Sequence, residues 1–207
     1  MTEHNETLDE ALARNVRDAL AEDVGRTDWT ALLVPAHKRL RAHVVAKESA
    51  VLCGRRWFDH CFHALDAKAD VQWLAAEGGP VVAGLEICRI ESDARALLSA
   101  ERSALNFLQM LSAVATTTRR YVDAIAGLSP NAKGCSILDT RKTLPGLRQA
   151  QKYAVRVGGG KNQRMALWHG ILVKENHIAA AMQAALALNA GVSIQIERAM
   201  SRGIRAA

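Results

Sequence analysis

The sequence predicts an α+β N-terminal half followed by an α/β half of parallel-sheet or barrel type. Three observations carry this. The first 90 residues alternate in the order helix, strands, helix, strands. A long helical run then spans 93–127. After Pro130, short apolar strands alternate with helices, the βαβα rhythm of a parallel sheet or barrel. With 207 residues, the chain has room for one large domain or two small ones. We place the boundary between residues 1–115 and 116–207. Apolar residues at 49% and charged residues at 23% are globular proportions that exclude a disordered chain. With 14 Gly and 4 Pro, collagen-like and low-complexity architectures are excluded too. Aromatic residues are only 4%, so the core is built mainly from Ala, Leu, Val and Ile.

The elements follow in order. Residues 7–22 read as an amphipathic helix with Leu8, Leu12, Val16 and Leu20 on one face. Thr7 and Glu10 have capping-box spacing at its start, and Gly25 ends it. Residues 40–47 and 49–53 read as two short strands, and 57–65 as a helix. Two more strand-like runs, near 69–74 and 81–90, flank the turn Gly78-Gly79-Pro80. In the long helical run, the Thr-rich stretch Ser112–Thr118 predicts a break between two helices. Beyond it come a strand at Ser136–Asp139, a helix at 146–156, a glycine loop, a strand at Ile171–Lys174, a helix at 179–189 and a strand at Val192–Glu197.

Composition narrows the function. The formal net charge is +6, which suits nucleic acid, an anionic membrane surface or a small polyanion. No apolar run approaches the roughly 18–20 residues of a membrane span. The polar, acidic start MTEHNETLDE is unlike a signal peptide, which predicts a cytoplasmic protein. Cys53, Cys61, Cys88 and Cys135 are scattered and read as free thiols. His60 and His63 sit at i, i+3 with Cys53 upstream. Without a second close-spaced pair, they read as a helix face rather than a metal site.

The second half concentrates the chemistry. Polar residues follow each predicted strand: Asp139-Thr140-Arg141-Lys142, Lys174-Glu175-Asn176-His177, and Glu197. Parallel α/β folds bind ligands at the carboxyl ends of their strands. On this reading Arg141, Lys142, Lys174 and Glu197 converge on one mouth. The run Gly158-Gly159-Gly160-Lys161-Asn162-Gln163-Arg164 lets a backbone approach an anion and present N–H groups to it, although a bland glycine-rich turn has the same composition. It is not a Walker A loop, because Val155 and Asn162 stand at required Gly and Ser/Thr positions. The cations Arg141, Lys142, Arg148, Lys152, Arg156, Lys161, Arg164 and Lys174 surround these loops. Only Tyr153 and Trp168 are available for base stacking, so a small polyanion fits better than nucleic acid.

These motifs also resemble a known family. The segments ERSALNFLQMLSAVATTT (101–118), ILDTRKTLPGLR (137–148), KYAVRVGGGKNQR (152–164) and GILVKENHIAAA (170–181) are similar to quinolinate phosphoribosyltransferase, also called carboxylating nicotinate-nucleotide pyrophosphorylase. ALAEDVGRTDWT (19–30) and VVAKESAVLCG (44–54) match in the expected order. The resemblance implies an N-terminal open α/β sandwich, a C-terminal α/β barrel and a homodimer with its active site at the interface. It implies transfer of a phosphoribosyl group from phosphoribosyl pyrophosphate to quinolinate with decarboxylation. The products are nicotinate mononucleotide, pyrophosphate and CO2, made for NAD biosynthesis with Mg²⁺. By motif, Arg102 resembles the arginine that reaches quinolinate from the neighbouring subunit. Arg141 and Arg164 resemble carboxylate-binding arginines. Lys142 and Lys174 resemble the catalytic lysines facing quinolinate or the phosphoribosyl donor. Glu197 resembles a catalytic carboxylate on the ribose and metal side. No nucleic acid or membrane partner is implied.

Three departures stand out. Gln163 occupies a substrate-facing position where the family has His; Gln donates a hydrogen bond but carries no charge. Ala113 stands where the family tends to have Gly. The 92 residues from 116 to 207 are too few for a full barrel, which predicts an incomplete one in this chain. Two other readings follow from the departures. One is an inactive, truncated remnant that only dimerises. The other is a related transferase acting on another pyridine or base.

Overall fold

The computed structural model describes residues 5–129 and 134–188. Two compact units are present, Met1–Met165 and Ala166–Ala207. In the first unit, helix α1 (Leu8–Asp23) begins at the predicted capping box. The Thr7 N–H donates to Glu10 Oε2 at 2.8 Å and the Glu10 N–H donates to Thr7 Oγ1 at 3.3 Å. A 3₁₀ turn at Ala31–Leu33 leads to β1 (Arg39–Val45) and β2 (Ala50–Val51). Helix α2 (Arg55–Leu65), β3 (Asp70–Trp73), β4 (Pro80–Val81) and β5 (Glu86–Asp93) follow. The helices and the first three strands lie where the hydrophobic pattern puts them, while the single run expected near 81–90 divides into β4, which pairs with β2, and β5, which joins the other sheet.

β5 is the centre of an antiparallel sheet in the order β1-β5-β3, and β2 pairs with β4. Alternation along β1 turns Leu40, Ala42 and Val44 toward the core. The opposite face is charged, with Arg41 Nε 2.7 Å from Glu91 and Arg89 Nε 2.7 Å from Glu86. Trp57 and Phe58 of α2, Val16 of α1 and Leu111 of the next helix are fully buried. Cys53, Cys61 and Cys88 join them as small hydrophobes, and burial pushes the Cys61 and Cys88 thiols up to about 12. Cys135 is exposed, and the four cysteines are free thiols as the sequence predicts. His60 and His63 are exposed, His63 Nε2 lies 3.0 Å from the Ala69 carbonyl, and no metal-holding cluster exists among the described residues.

The fold subtly corrects the long helix. Helix α3 (Ala94–Ile125) runs unbroken for 32 residues, about 48 Å, through the Thr-rich stretch. Its hydroxyls find partners without breaking it. Thr116 Oγ1 donates to the Ser112 carbonyl at 2.7 Å, and Thr118 Oγ1 to the Val114 carbonyl at 2.8 Å. Ser112 Oγ accepts from the Cys53 N–H at 2.9 Å and donates to the Cys53 carbonyl at 3.1 Å. The hydroxyls that suggested a break are what join α3 to β2 and its following loop.

Asp66, at the end of α2, ties that helix to the β5–α3 junction. Its Oδ2 accepts from the Asp93 N–H and from Ser92 Oγ, both at 2.9 Å. The Asp93 N–H bond, with further help from Lys68, Ser92 and Arg39, holds the carboxyl below its ordinary range. A carboxyl lowered by folding stabilises fully above its unfolded value of about 4 and loses that contribution as pH falls through the folded value. Asp66→Asn is therefore expected to show a shallower loss of stability than the parent between about pH 5 and pH 2. Denaturant melts across that range test this; identical acid slopes would contradict it.

After α3, helix α4 (Arg148–Val157) forms as predicted. The strand expected at Ser136–Asp139 reduces to a single parallel bridge between Leu138 and Lys161. In the second unit, helix α5 (Glu175–Leu188) covers the predicted 179–189 helix and starts earlier. The strand expected at Ile171–Lys174 is not formed. A strand needs a neighbour to satisfy its backbone, and among the described residues none pairs with this stretch; Ile171 is 95% exposed. The strand at Val192–Glu197 lies outside the described residues. No helix among the described residues is long and apolar enough to cross a membrane.

Candidate active site

Residues 135–174 hold eight Lys and Arg against one acid, Asp139. The fold shows how that imbalance is used. Asp139 is withdrawn from the surface and accepts from Lys152 Nζ, Asn162 Nδ2 and, at 2.8 Å, the Gln163 N–H. This brings the segment carrying Arg141 and Lys142 beside the one carrying Gln163 and Arg164. Four of the predicted site residues are thus gathered in one region.

The cations within it differ. Arg141 Nε is buried and has no hydrogen-bond partner. A buried guanidinium nitrogen without an acceptor is costly, and an anion relieves it. Lys142 is exposed and makes no ion pair among the described residues. Arg164 and Gln163 follow Asn162, with the Gln163 main chain held at both ends. Other cations in the cluster are spent on structure. Arg148 donates to Thr143 Oγ1 at 3.2 Å, and Arg156 lies 5.8 Å from the Tyr153 ring centroid. Lys152, read from the sequence as one of the anion-facing cations, is 1% exposed and paired inward.

The glycine loop is corrected as well. Its N–H groups do not await a ligand. Those of Gly158, Gly159 and Gly160 donate to the carbonyls of Ala154, Arg156 and Val155, and that of Lys161 to Ile137. A Cβ on Gly158 would lie 2.5 Å from the Ala115 carbonyl oxygen, and one on Gly160 2.7 Å from Val155 Cγ1. Gly159 has φ +94°. The glycines let the chain turn and seat against α3, and the ligand-facing groups are the side chains beyond.

The remaining predicted residues are placed separately. Arg102 is exposed on α3. It lies 13 residues before Ala115, about 20 Å along the helix from where Gly158 seats. Lys174 is exposed in the second unit, immediately before α5; its N–H donates to His177 Nδ1 at 3.2 Å. Glu197 is outside the described residues.

The sequence reading did not find Glu77, and it weighed Tyr153 only as a stacking aromatic and not as the partner of Glu77. Glu77 accepts from the N–H groups of Gly54 at 2.9 Å and Arg55 at 3.2 Å, capping α2 from outside the helix. The Tyr153 hydroxyl donates to the same carboxylate at 2.9 Å, and burial together with Glu77 raises its pKa. α2 is thereby fastened to α4. No local spacing in the sequence announces a cap supplied by a residue 23 positions away.

Fold and site define a two-domain protein with an N-terminal sheet domain and a helix-rich, cation-bearing C-terminal domain. The profile of quinolinate phosphoribosyl transferase, N-terminal domain, matches residues 27–112, and that of its C-terminal domain matches 114–197. A probable nicotinate-nucleotide pyrophosphorylase [carboxylating] of Synechocystis is 43% identical over 162 residues, covering 78% of this chain and 53% of the relative. The chloroplastic nicotinate-nucleotide pyrophosphorylase [carboxylating] of Arabidopsis thaliana is 39% identical over 168 residues, covering 80% and 46%. Among solved structures, NadC from Streptococcus pyogenes superposes with a TM-score of 0.77 at 35% identity, covering 96% of this chain and 67% of that one. The nicotinate-nucleotide pyrophosphorylase of Francisella tularensis also gives 0.77, at 40% identity, covering 86% and 61%. The chain belongs to the quinolinate phosphoribosyltransferase family. It spans about half the length of the curated relatives it matches.

Proposed function

We propose that the chain binds quinolinate and serves phosphoribosyl transfer to it from phosphoribosyl pyrophosphate. Decarboxylation follows, and nicotinate mononucleotide, pyrophosphate and CO2 are the products in NAD biosynthesis. The observation that carries this reading is the buried, unpartnered Nε of Arg141 in a segment with eight cations and one internally paired acid. Quinolinate offers two carboxylates, and an arginine fork matches a carboxylate with two parallel hydrogen bonds.

In this reading Arg141 and Arg164 take the carboxylates and orient the ring nitrogen toward the ribose carbon. Orientation converts a bimolecular encounter into an intramolecular one. The charge of Lys142 and Lys174 favours the phosphoribosyl donor and the departing pyrophosphate. Gln163 supplies a neutral hydrogen bond where the family has His. Arg102, about 20 Å along α3 from the glycine-loop seat, would act in the site of a second copy in a homodimer.

The family also implies Mg²⁺. The described residues do not fit it: no carboxylate cluster is present among them, and Asp139 is committed to Lys152 and Asn162. The Mg²⁺ assignment therefore rests on Glu197, the carboxylate proposed for the ribose and metal side. The barrel expected around it belongs to the same proposal.

Calorimetric titration of the purified chain tests the binding step, and product formation with phosphoribosyl pyrophosphate tests the transfer. Quinolinate is expected to bind more tightly than nicotinate. Nicotinate binding as tight or tighter, or no quinolinate binding, would overturn the reading.

A further inference from the structure

Lys152 is buried to 1% exposure, yet it reaches no surface where substrate could meet it. Its ammonium contacts Asp139 Oδ1 and donates to the Gln163 carbonyl at 3.2 Å. Asn162 Nδ2 contacts the other Asp139 oxygen and donates to the Lys152 carbonyl at 2.9 Å. The Gln163 N–H closes the ring on Asp139 at 2.8 Å. Three segments meet at this pair: the chain leading to Arg141, the middle of α4, and the chain leading to Arg164. Asp139 is two residues before Arg141, and Gln163 is one before Arg164.

A buried ion pair is a poor source of net stability, because desolvating two charges offsets most of their attraction. Apolar residues of the same volume would hold these segments together as well. They would not fix how far apart the segments sit. The ammonium accepts only a narrow separation between a carboxylate and a carbonyl, and those two acceptors belong to the two arginine-bearing segments.

We infer that Lys152 is a positioning residue that sets the spacing of Arg141 and Arg164, and so selects a pyridine with two adjacent carboxylates over one with a single carboxylate. The selectivity part rests on the quinolinate reading above. The fixed spacing stands on the ion-pair geometry alone.

The test uses the whole chain and the double variant Asp139→Asn/Lys152→Met, which removes both charges at nearly constant volume and so keeps the fold. Two readouts are taken: amide hydrogen exchange over 138–142 and 161–164, and affinities for quinolinate and nicotinate. Exchange is expected to quicken at least tenfold in those two segments while α1 and α2 match the parent. Quinolinate affinity is expected to fall at least tenfold and nicotinate affinity less than threefold. Parent-like exchange in the two segments overturns the inference, whether or not the parent binds quinolinate. Equal losses for both ligands reduce the pair to a merely structural role and overturn it too. A parent that binds no quinolinate, with quickened exchange in the variant, overturns the selectivity and the proposed substrate but supports the fixed spacing.

Discussion

Arg141→Ala is expected to weaken quinolinate binding about 100-fold, close to 2.7 kcal/mol, while leaving the ligand-free chain at least as stable as the parent. The two effects have opposite signs for one reason. Hydrogen bonds to a charged group contribute about 1.5–3 kcal/mol each, and a carboxylate forked by Arg141 would lose them. Without ligand, the same side chain carries a buried Nε that no protein atom satisfies. Leaving such a donor unpaired costs about 1–3 kcal/mol, and truncation removes that cost. Lost packing of the aliphatic stem offsets part of the gain. Calorimetric titration and thermal melts of both forms check the pair of outcomes. A clear drop in stability with unchanged affinity would make Arg141 an ordinary structural residue.

Gly158→Ala is expected to destabilise the chain by about 3 kcal/mol, at the upper end for an overpacked site. The added methyl would meet the Ala115 carbonyl oxygen at 2.5 Å and Thr118 Cβ at 2.7 Å. Both belong to the middle of α3, where backbone cannot move aside. For a unit of this size the melting temperature should fall by roughly 6–12 °C. Gly25→Ala is the control. Gly158 has an ordinary helical backbone with φ −70°, whereas Gly25 puts a side chain at positive φ with nothing within 4 Å of the added atom. Its cost should stay near the 1–2 kcal/mol of a left-handed residue. A melting temperature for Gly158→Ala no lower than that of Gly25→Ala would show that small shifts relieve the collision with α3 and that it sets no large cost at Gly158.

The N-terminal half was legible because its signals are local. Leu12, Val16 and Leu20 repeat at helical spacing, β1 alternates strictly, and Thr7 and Glu10 announce their own cap. The break predicted at Ser112–Thr118 failed because hydroxyl-rich composition does not distinguish a loop from a helix whose hydroxyls bond to its own carbonyls and to a neighbouring segment. At the site, residue types were readable but their employment was not. Arg141 and Lys152 look alike in the sequence, yet one holds an unsatisfied donor and the other an internal ion pair. One clue was present: Asp139 is the lone acid among eight cations, and a lone acid there will pair with one of them. Which cation it takes depends on the fold. The three glycines were open to two readings, and contact with α3 decided between them. The strand expected at Ile171–Lys174 shows the complementary failure, since an apolar run becomes a strand only where another strand receives it.

The unbroken α3 has a consequence for how this protein can be divided. The N-terminal profile ends at residue 112 and the C-terminal one starts at 114, both inside the helix. The seam between the two family domains therefore crosses a rod, with no tether there to bend or to cut. A fragment ending at that seam would expose half a helix whose Leu111 had lost its continuation, and one starting there would begin at Ala115 and Thr118 without the turns that set their direction. Residues 8–165 should thus melt and refold as one cooperative body, with the sheet and the glycine-loop seat strung on the same beam.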